Sequence, residues 1–129
     1  MSGSVLVVED EPSVRTLSAR VLREQGYTVF EASNGVEALR MEQESPGEIH
    51  LVLTDMVMPE MSGKALVSQI EAARPGIKVL YVSGYASDVI VYHGVLSLDV
   101  PFLQKPFTED ALARKVREVL DSPAHVPIQ

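Results

Sequence analysis

The chain has no cysteine, and that absence removes a disulfide scaffold, a thiolate zinc site and a cysteine nucleophile at once. It suits a reducing cytoplasm. Positive charge is also scarce. Lys and Arg number 11 against 18 Asp and Glu, a net charge of −7, with an isoelectric point near 4.9. Such a surface repels nucleic acid and anionic membrane, because binding either needs clustered cations. The longest apolar runs, over 4–8 and 49–53, are far too short to span a bilayer. The N-terminus lacks the basic and apolar regions of a signal peptide. No Gly-x-Gly-x-x-Gly or P-loop pattern follows any apolar run, so nucleotide binding has no anion cradle. His50, His93 and His125 stand apart, without metal or nucleophile spacing, and read as surface or turn residues.

What is present describes one acidic globular domain. The 129 residues are 46% hydrophobic and 22% charged, and a domain of that size buries roughly two-thirds of its unfolded surface. Residues 1–4 read as an N-terminal extension or cloning scar, 5–121 as the domain, and the proline-containing 122–129 as a tail or clipped linker.

Five β-branched runs, over 5–8, 27–30, 49–54, 77–82 and 100–103, alternate with segments of helical period. Three of the runs are nearly continuous in apolar residues, which predicts strands covered on both faces. Val14, Leu17, Val21 and Leu22 share one helical stripe; Leu112, Val116, Val119 and Leu120 share another. Asn34 with Glu37, and Thr108 ahead of Glu109 and Asp110, read as helix starts. Gly26 and the Pro75-Gly76 pair read as helix ends. The segment 85–99 has weak period and is read as a short or mobile helix. The alternation predicts an α/β fold, a doubly wound parallel sheet with helices on both faces.

In such a sheet, ligands sit beyond the carboxyl ends of the strands. Those ends carry Glu9-Asp10-Glu11, Asp55, Ser83-Gly84 and Gln104-Lys105-Pro106. Crowded carboxylates raise one another's pKa unless a cation joins them. Three with no Cys or His beside them make a hard oxygen site suited to Mg2+ or Mn2+. A divalent ion and a lysine bracketing a carboxylate is an arrangement for phosphoryl transfer. Any one of these acids alone would be an ordinary cap or solvated turn, and Glu11-Pro12 does read as a helix start. Asp55 is different, since it ends an apolar run where a solvated side chain is not expected. A flavodoxin would need a phosphate cradle where three acids stand. A haloacid-dehalogenase-type phosphatase would need a second Asp where Val57 stands.

The segments Val7-Val8-Glu9-Asp10-Glu11-Pro12, Asp55-Met56-Val57-Met58-Pro59-Glu60-Met61-Ser62-Gly63, Ser83-Gly84 and Lys105-Pro106-Phe107 resemble those of response-regulator receiver domains. The second matches the family's Asp-x-x-Met-Pro-x-Met-x-Gly signature at every fixed position, and the resemblance covers residues 5 to about 121. It implies a flavodoxin-like, CheY-like five-stranded sheet of order 2-1-3-4-5. It also implies a regulatory phospho-acceptor domain that catalyses only its own phosphorylation and slow dephosphorylation.

Asp55 would take a phosphoryl group from a phosphohistidine. Asp10, Asp55 and the backbone carbonyl of Val57 would hold Mg2+, with Mn2+ as a substitute and Glu9 acting through water. Ser83 and Lys105 would contact the phosphoryl oxygens, and a cis peptide would join Lys105 to Pro106. Two positions depart from the commonest pattern. Glu rather than Asp stands at 9, and the switch aromatic is Phe102, which has no hydroxyl to lock the active state. Val57 and Tyr85 border the path of attacking water, which predicts slow loss of the phosphoryl group.

The switched surface would be formed by the segment 85–99, where Tyr92, Val95 and Leu96 are apolar, together with the fifth strand and the last helix. The stretch from Ser83 through Phe107 looks most like the C-terminal receiver of a hybrid sensor histidine kinase. That implies a cytoplasmic domain, attached in some cases to a membrane-associated kinase. Its partner would be a histidine kinase or a histidine phosphotransfer domain, and it would be a monomer or a weak phosphorylation-dependent dimer. The alternatives are a phosphorylation-independent binding module and a metal-dependent phosphatase on the same fold.

Overall fold

A computed structural model describes residues 3–44, 47, 49–56, 58, 60–83 and 101–122. Nine elements follow in order among these residues: β1 (Ser4–Val8), α1 (Pro12–Glu24), β2 (Thr28–Ala32), α2 (Gly35–Glu44), β3 (Leu51–Asp55), α3 (Gly63–Ala73), β4 (Lys78–Ser83), β5 (Phe102–Gln104) and α4 (Glu109–Asp121). The strands form one sheet of order β2-β1-β3-β4-β5, and every pair is parallel. This is the doubly wound topology expected. The segment 85–99 lies outside the described residues.

Alternation along the strands builds two cores. Val5, Val7, Leu51, Leu53, Leu80 and Val82 face one side, where Ala19 and Leu22 of α1 and Leu112 and Val116 of α4 cover them. Leu6, Val8 and Val52 face the other side, under Ala38 of α2 and Leu66 and Ile70 of α3. Successive strand residues point to opposite faces, so a run such as Val5-Leu6-Val7-Val8 must be apolar throughout when both faces are roofed.

Several strands lie one or two residues later than their apolar runs. β2 occupies Thr28–Ala32 rather than 27–30, and β3 occupies Leu51–Asp55 rather than 49–54. β4 and β5 likewise begin at Lys78 and Phe102 instead of 77 and 100. Burial starts before pairing does: Ile49 and Tyr27 are buried ahead of the ladder, and the register of β1 with its neighbours sets where pairing ends. In α1 the sequence stripe named Val14 and Leu17, while Ser18 and Ala19 are the residues buried beside Val21 and Leu22. Small residues let the helix lie close on the sheet.

The helix signals are local and appear as read. Glu37 N donates to Asn34 Oδ1 at 2.7 Å, and Glu37 Oε1 reaches back to Ser33 N at 2.9 Å. Thr108 Oγ1 accepts from Ala111 N at 3.0 Å. Gly26 and Gly76 take positive φ at 96° and 88°, the left-handed backbone that glycine adopts without a Cβ clash.

One cross-element ion pair ties α3 to α2. Arg74 Nε lies 2.6 Å from Glu42 Oε1, and its Nη2 donates to the carbonyls of Glu42 and Gly47, each at 3.3 Å. The Glu42 side chain is only 8% exposed, so removing its partner strands a buried carboxylate. Arg74→Ala should cost about 2 kcal/mol of unfolding free energy by urea titration. Arg40→Ala, which loses the exposed pair to Glu44, should change it by no more than about 0.5 kcal/mol.

Candidate functional site

The sheet's strand order reverses at β1, which pairs with β2 on one side and β3 on the other. The crevice beyond the carboxyl ends of β1 and β3 is where such sheets bind ligands. β1 ends in Glu9. Its N–H extends the ladder to Ala32 O at 3.0 Å, and its carbonyl accepts from Arg15 Nη1 at 2.8 Å. Glu9 is therefore buried at 4% exposure while Asp10, one residue on, is exposed. β3 ends in Asp55, paired with Val82 and 5% exposed. Ser83 closes β4 beside it and is fully buried.

Lys105 follows β5, its backbone N–H donating to Ser83 O at 2.8 Å, and its bond to Pro106 is cis. Its ammonium lies 2.9 Å from Glu9 Oε1, 3.2 Å from Asp55 Oδ1 and 3.7 Å from Glu11 Oε1. The structure thus brings Glu9, Asp55 and Lys105 into direct contact and places Asp10 and Ser83 at the same edge. Val57, Tyr85, Tyr92, Val95, Leu96, His93 and His125 lie outside the described residues. Phe102 opens β5, paired with Tyr81 and 36% exposed. His50 is structural: its Nδ1 accepts from Ser4 N at 3.0 Å.

Electrostatics single out Asp55. Burial, then a hydrogen bond to the Glu9 carboxyl and the charge of Glu9, push its pKa up to about 9 against the opposing pull of Lys105. Burial alone would lower the Lys105 ammonium. The hydrogen bond to Glu9 and the charges of Asp55 and Glu9 outweigh it and hold the pKa above its ordinary value. Two buried acids thus crowd against one ammonium, and a second cation beside them would favour their ionised forms. Glu9, Asp10 and Asp55 can each bring one oxygen within 4.8 Å of the others. An all-carboxylate donor set of this kind fits a small, hard divalent ion.

Three residues have roles at the site that the sequence reading did not assign. Glu11 N donates to Glu9 Oε2 at 3.1 Å and so fixes that carboxylate. The signal was Pro12: it starts α1 and leaves the Glu11 N–H outside the helix. Arg15, on α1, donates from Nη1 to the Glu9 carbonyl and holds that backbone in place. Gly63, at the start of α3, sits against the backbone of Asp55, where an added Cβ would lie 2.1 Å from the Asp55 carbonyl oxygen. Its own N–H donates to Met56 O at 3.0 Å.

Fold and site define a class: a doubly wound domain whose switch-point edge carries a buried carboxylate between an acidic cluster and a lysine. The family model for the response regulator receiver domain matches residues 5–117. The chain belongs to this family, and it is a receiver domain of two-component signalling.

The sensor kinase CckA of Brucella abortus is 44% identical over 120 residues, which are 93% of this chain and 13% of that protein. The response regulator receiver protein CpdR of the same organism is 31% identical over 90% of this chain and 95% of its own length. Among solved structures, the receiver domain from the hybrid histidine kinase CckA superposes with a TM-score of 0.78 at 36% identity. It covers 92% of this chain and 100% of that one. The Thermotoga maritima response regulator TrrA, solved in complex with Mg(2+)-BeF, has a TM-score of 0.75 at 32% identity over 91% of this chain and 98% of its own. Among the described residues, no helix is long and apolar enough to cross a membrane.

Proposed function

We propose that Asp55 is the phospho-acceptor. The observation that carries this reading is a carboxylate buried at 5% exposure, 3.2 Å from a lysine ammonium and grouped with two further acids. Asp55 Oδ attacks the phosphorus of a phosphohistidine. The new P–O bond makes an acyl phosphate as the P–N bond breaks, and its electron pair leaves with the imidazole, which takes a proton from solvent. Mg2+, or Mn2+ in its place, would be held by the carboxylates of Asp10 and Asp55, the carbonyl of Val57 and Glu9 through water. When bound, it neutralises charge on the carboxylates and on the transferred oxygens. Lys105 pairs with a phosphoryl oxygen, and Ser83 donates its hydroxyl to another. Their movement, with Phe102, remodels the surface that β5 and α4 present.

The partner in this reading is a sensor histidine kinase or a histidine phosphotransfer domain. The greater likeness to the CckA receiver than to CpdR supports a receiver belonging to a hybrid kinase, working in the cytoplasm over residues 5–121. Its catalysis is confined to its own phosphorylation and slow dephosphorylation.

The test is intact mass after incubation with Mg2+ and acetyl phosphate. One phosphoryl group should be added to the wild type, none without the metal, and none to Asp55→Asn. No addition to the wild type under Mg2+ or Mn2+ would overturn the acceptor reading and leave a binding module.

A further inference from the structure

The edge of the sheet remote from Asp55 carries a second opening. All the strand pairs are parallel, so the strands' amino ends gather at one edge and the helices' carboxyl ends return to it. Between the approach to β3, the start of β4 and the last turn of α4 lies a cavity of about 490 Å3, within the roughly 300–1,000 Å3 of small-molecule sites. Its apolar lining is Ile49, Ile77 and Leu120, and its charged lining is Arg74, Lys78 and Arg117. Among the described residues, no Asp or Glu lines it. In a chain of net charge −7, this is a local reversal of sign.

The three cations are not equivalent. Arg74 already has the Glu42 carboxylate 2.6 Å from its Nε. Arg117 faces Asp121 at 3.7 Å and lies 5.4 Å from the centre of the Tyr27 ring. His50, also in the lining, accepts the Ser4 N–H through Nδ1 at 3.0 Å and in that role adds no charge. Lys78 differs. Its ammonium donates to the carbonyl of Leu120 at 2.6 Å and to that of Ser122, and among the described residues it forms no ion pair. Carbonyls at a helix end offset only about half an elementary charge, and an ammonium has a third hydrogen to donate. Positive charge and a donor therefore remain beside an apolar lining.

We propose that this cavity binds an organic monocarboxylate, whose apolar body lies on Ile49, Ile77 and Leu120 while its carboxylate takes the third hydrogen of Lys78. One uncompensated cation selects one negative group. A dianion would bring a further charge that nothing in the lining is left to offset, and a small inorganic anion would leave the apolar part unfilled. The site is separate from phosphoryl transfer, since β4 places Lys78 at its start and Ser83 at its end. Because the same ammonium holds the last carbonyls of α4, occupancy braces that helix end against the sheet.

The experiment follows backbone amide shifts of the 15N-labelled full chain while 2-naphthoate is titrated in. Amides of Ile77, Lys78 and Leu120 should move saturably. The neutral 2-naphthalenemethanol, which keeps the apolar body, should bind at least about fivefold more weakly, the measure of one partly exposed ion pair. Inorganic phosphate should leave these amides in place. Lys78→Met keeps the apolar stem without the charge and should weaken 2-naphthoate by the same factor. Should that variant fail to fold, judged by its amide spectrum, Gly3→Asp replaces it. An added Cβ at Gly3 meets only ordinary contacts, 3.7 Å from Tyr27 and 3.8 Å from His50, so this variant leaves the Lys78 contacts intact and sets a rival carboxylate in the lining. It too should weaken 2-naphthoate at least about fivefold.

A titration to about 10 mM that moves no cavity amide, enough to fill most of a millimolar site, overturns the proposal. So do shifts confined to the Asp55 edge, and variants that bind like the wild type. Equal binding of the neutral alcohol would remove the carboxylate from the assignment, and equal response to phosphate would remove the apolar body; either result overturns the ligand class proposed.

Discussion

Gly63→Ala should lower the unfolding free energy by about 3 kcal/mol, the upper range for forcing atoms into a packed site. It should also slow phosphoryl uptake at Asp55 at least tenfold. The added Cβ would sit 2.1 Å from the Asp55 carbonyl oxygen and 3.3 Å from Met56 Cα, and neither is the end of a flexible side chain that could swing aside. Relief requires α3 to back away from the end of β3. That movement breaks the Gly63 N–H bond to Met56 O and shifts the strand end that aims the Asp55 carboxylate. Leu66 and Ile70, fully buried on the same helix, would lose packing with it. A thermal melt should show a fall of about 10 °C for a domain of this size. An unchanged melt together with unchanged acetyl phosphate kinetics would mean that α3 does not locate the acceptor.

Asp55→Asn should do the opposite to stability while abolishing phosphoryl uptake. Burial and the neighbouring Glu9 raise the Asp55 pKa to about 9, whereas in the unfolded chain the group ionises near its ordinary value of 3.8. Between those pH values the folded state holds a proton that the unfolded state has given up. Stability from this group is therefore fully present below about pH 4 and declines as pH rises toward 9. An amide at position 55 removes that decline. With EDTA at pH 8, Asp55→Asn should melt at least about 5 °C above the wild type, and its melting temperature should depend less on pH from 5 to 9. Millimolar Mg2+ favours the ionised carboxylate, so it should raise the wild type and narrow the gap. A gap that persists undiminished under saturating Mg2+ would show that charge repulsion at Asp55 is not its source.

Both expectations depend on contacts that differ in how far they can be read from the chain. The five-strand alternation, the caps at Asn34 and Thr108 and the turns at Gly26 and Gly76 are local, and each is realised as its residues predict. The acidic set and the lysine were legible for a related reason. In a doubly wound sheet the topology itself delivers strand ends to one edge, so their positions after β1, β3 and β5 suffice to gather them. Strand limits were less legible, because apolar character reports burial whereas pairing depends on the partner strand. Ile49 is buried without belonging to β3.

By itself, then, the sequence determined the class of fold, the helix boundaries set by caps and the chemical character of the site. Those properties follow from periodicity, backbone preference and residue type, which act over a few neighbours. The tertiary structure decided which acid holds Lys105, why position 63 must be glycine, that Glu42 is buried against Arg74, and that Asp55 carries a raised pKa. Each of these turns on a distance of a few ångströms between residues remote in the chain. Burial multiplies the energy of such contacts, and only strand register and helix packing set the distances.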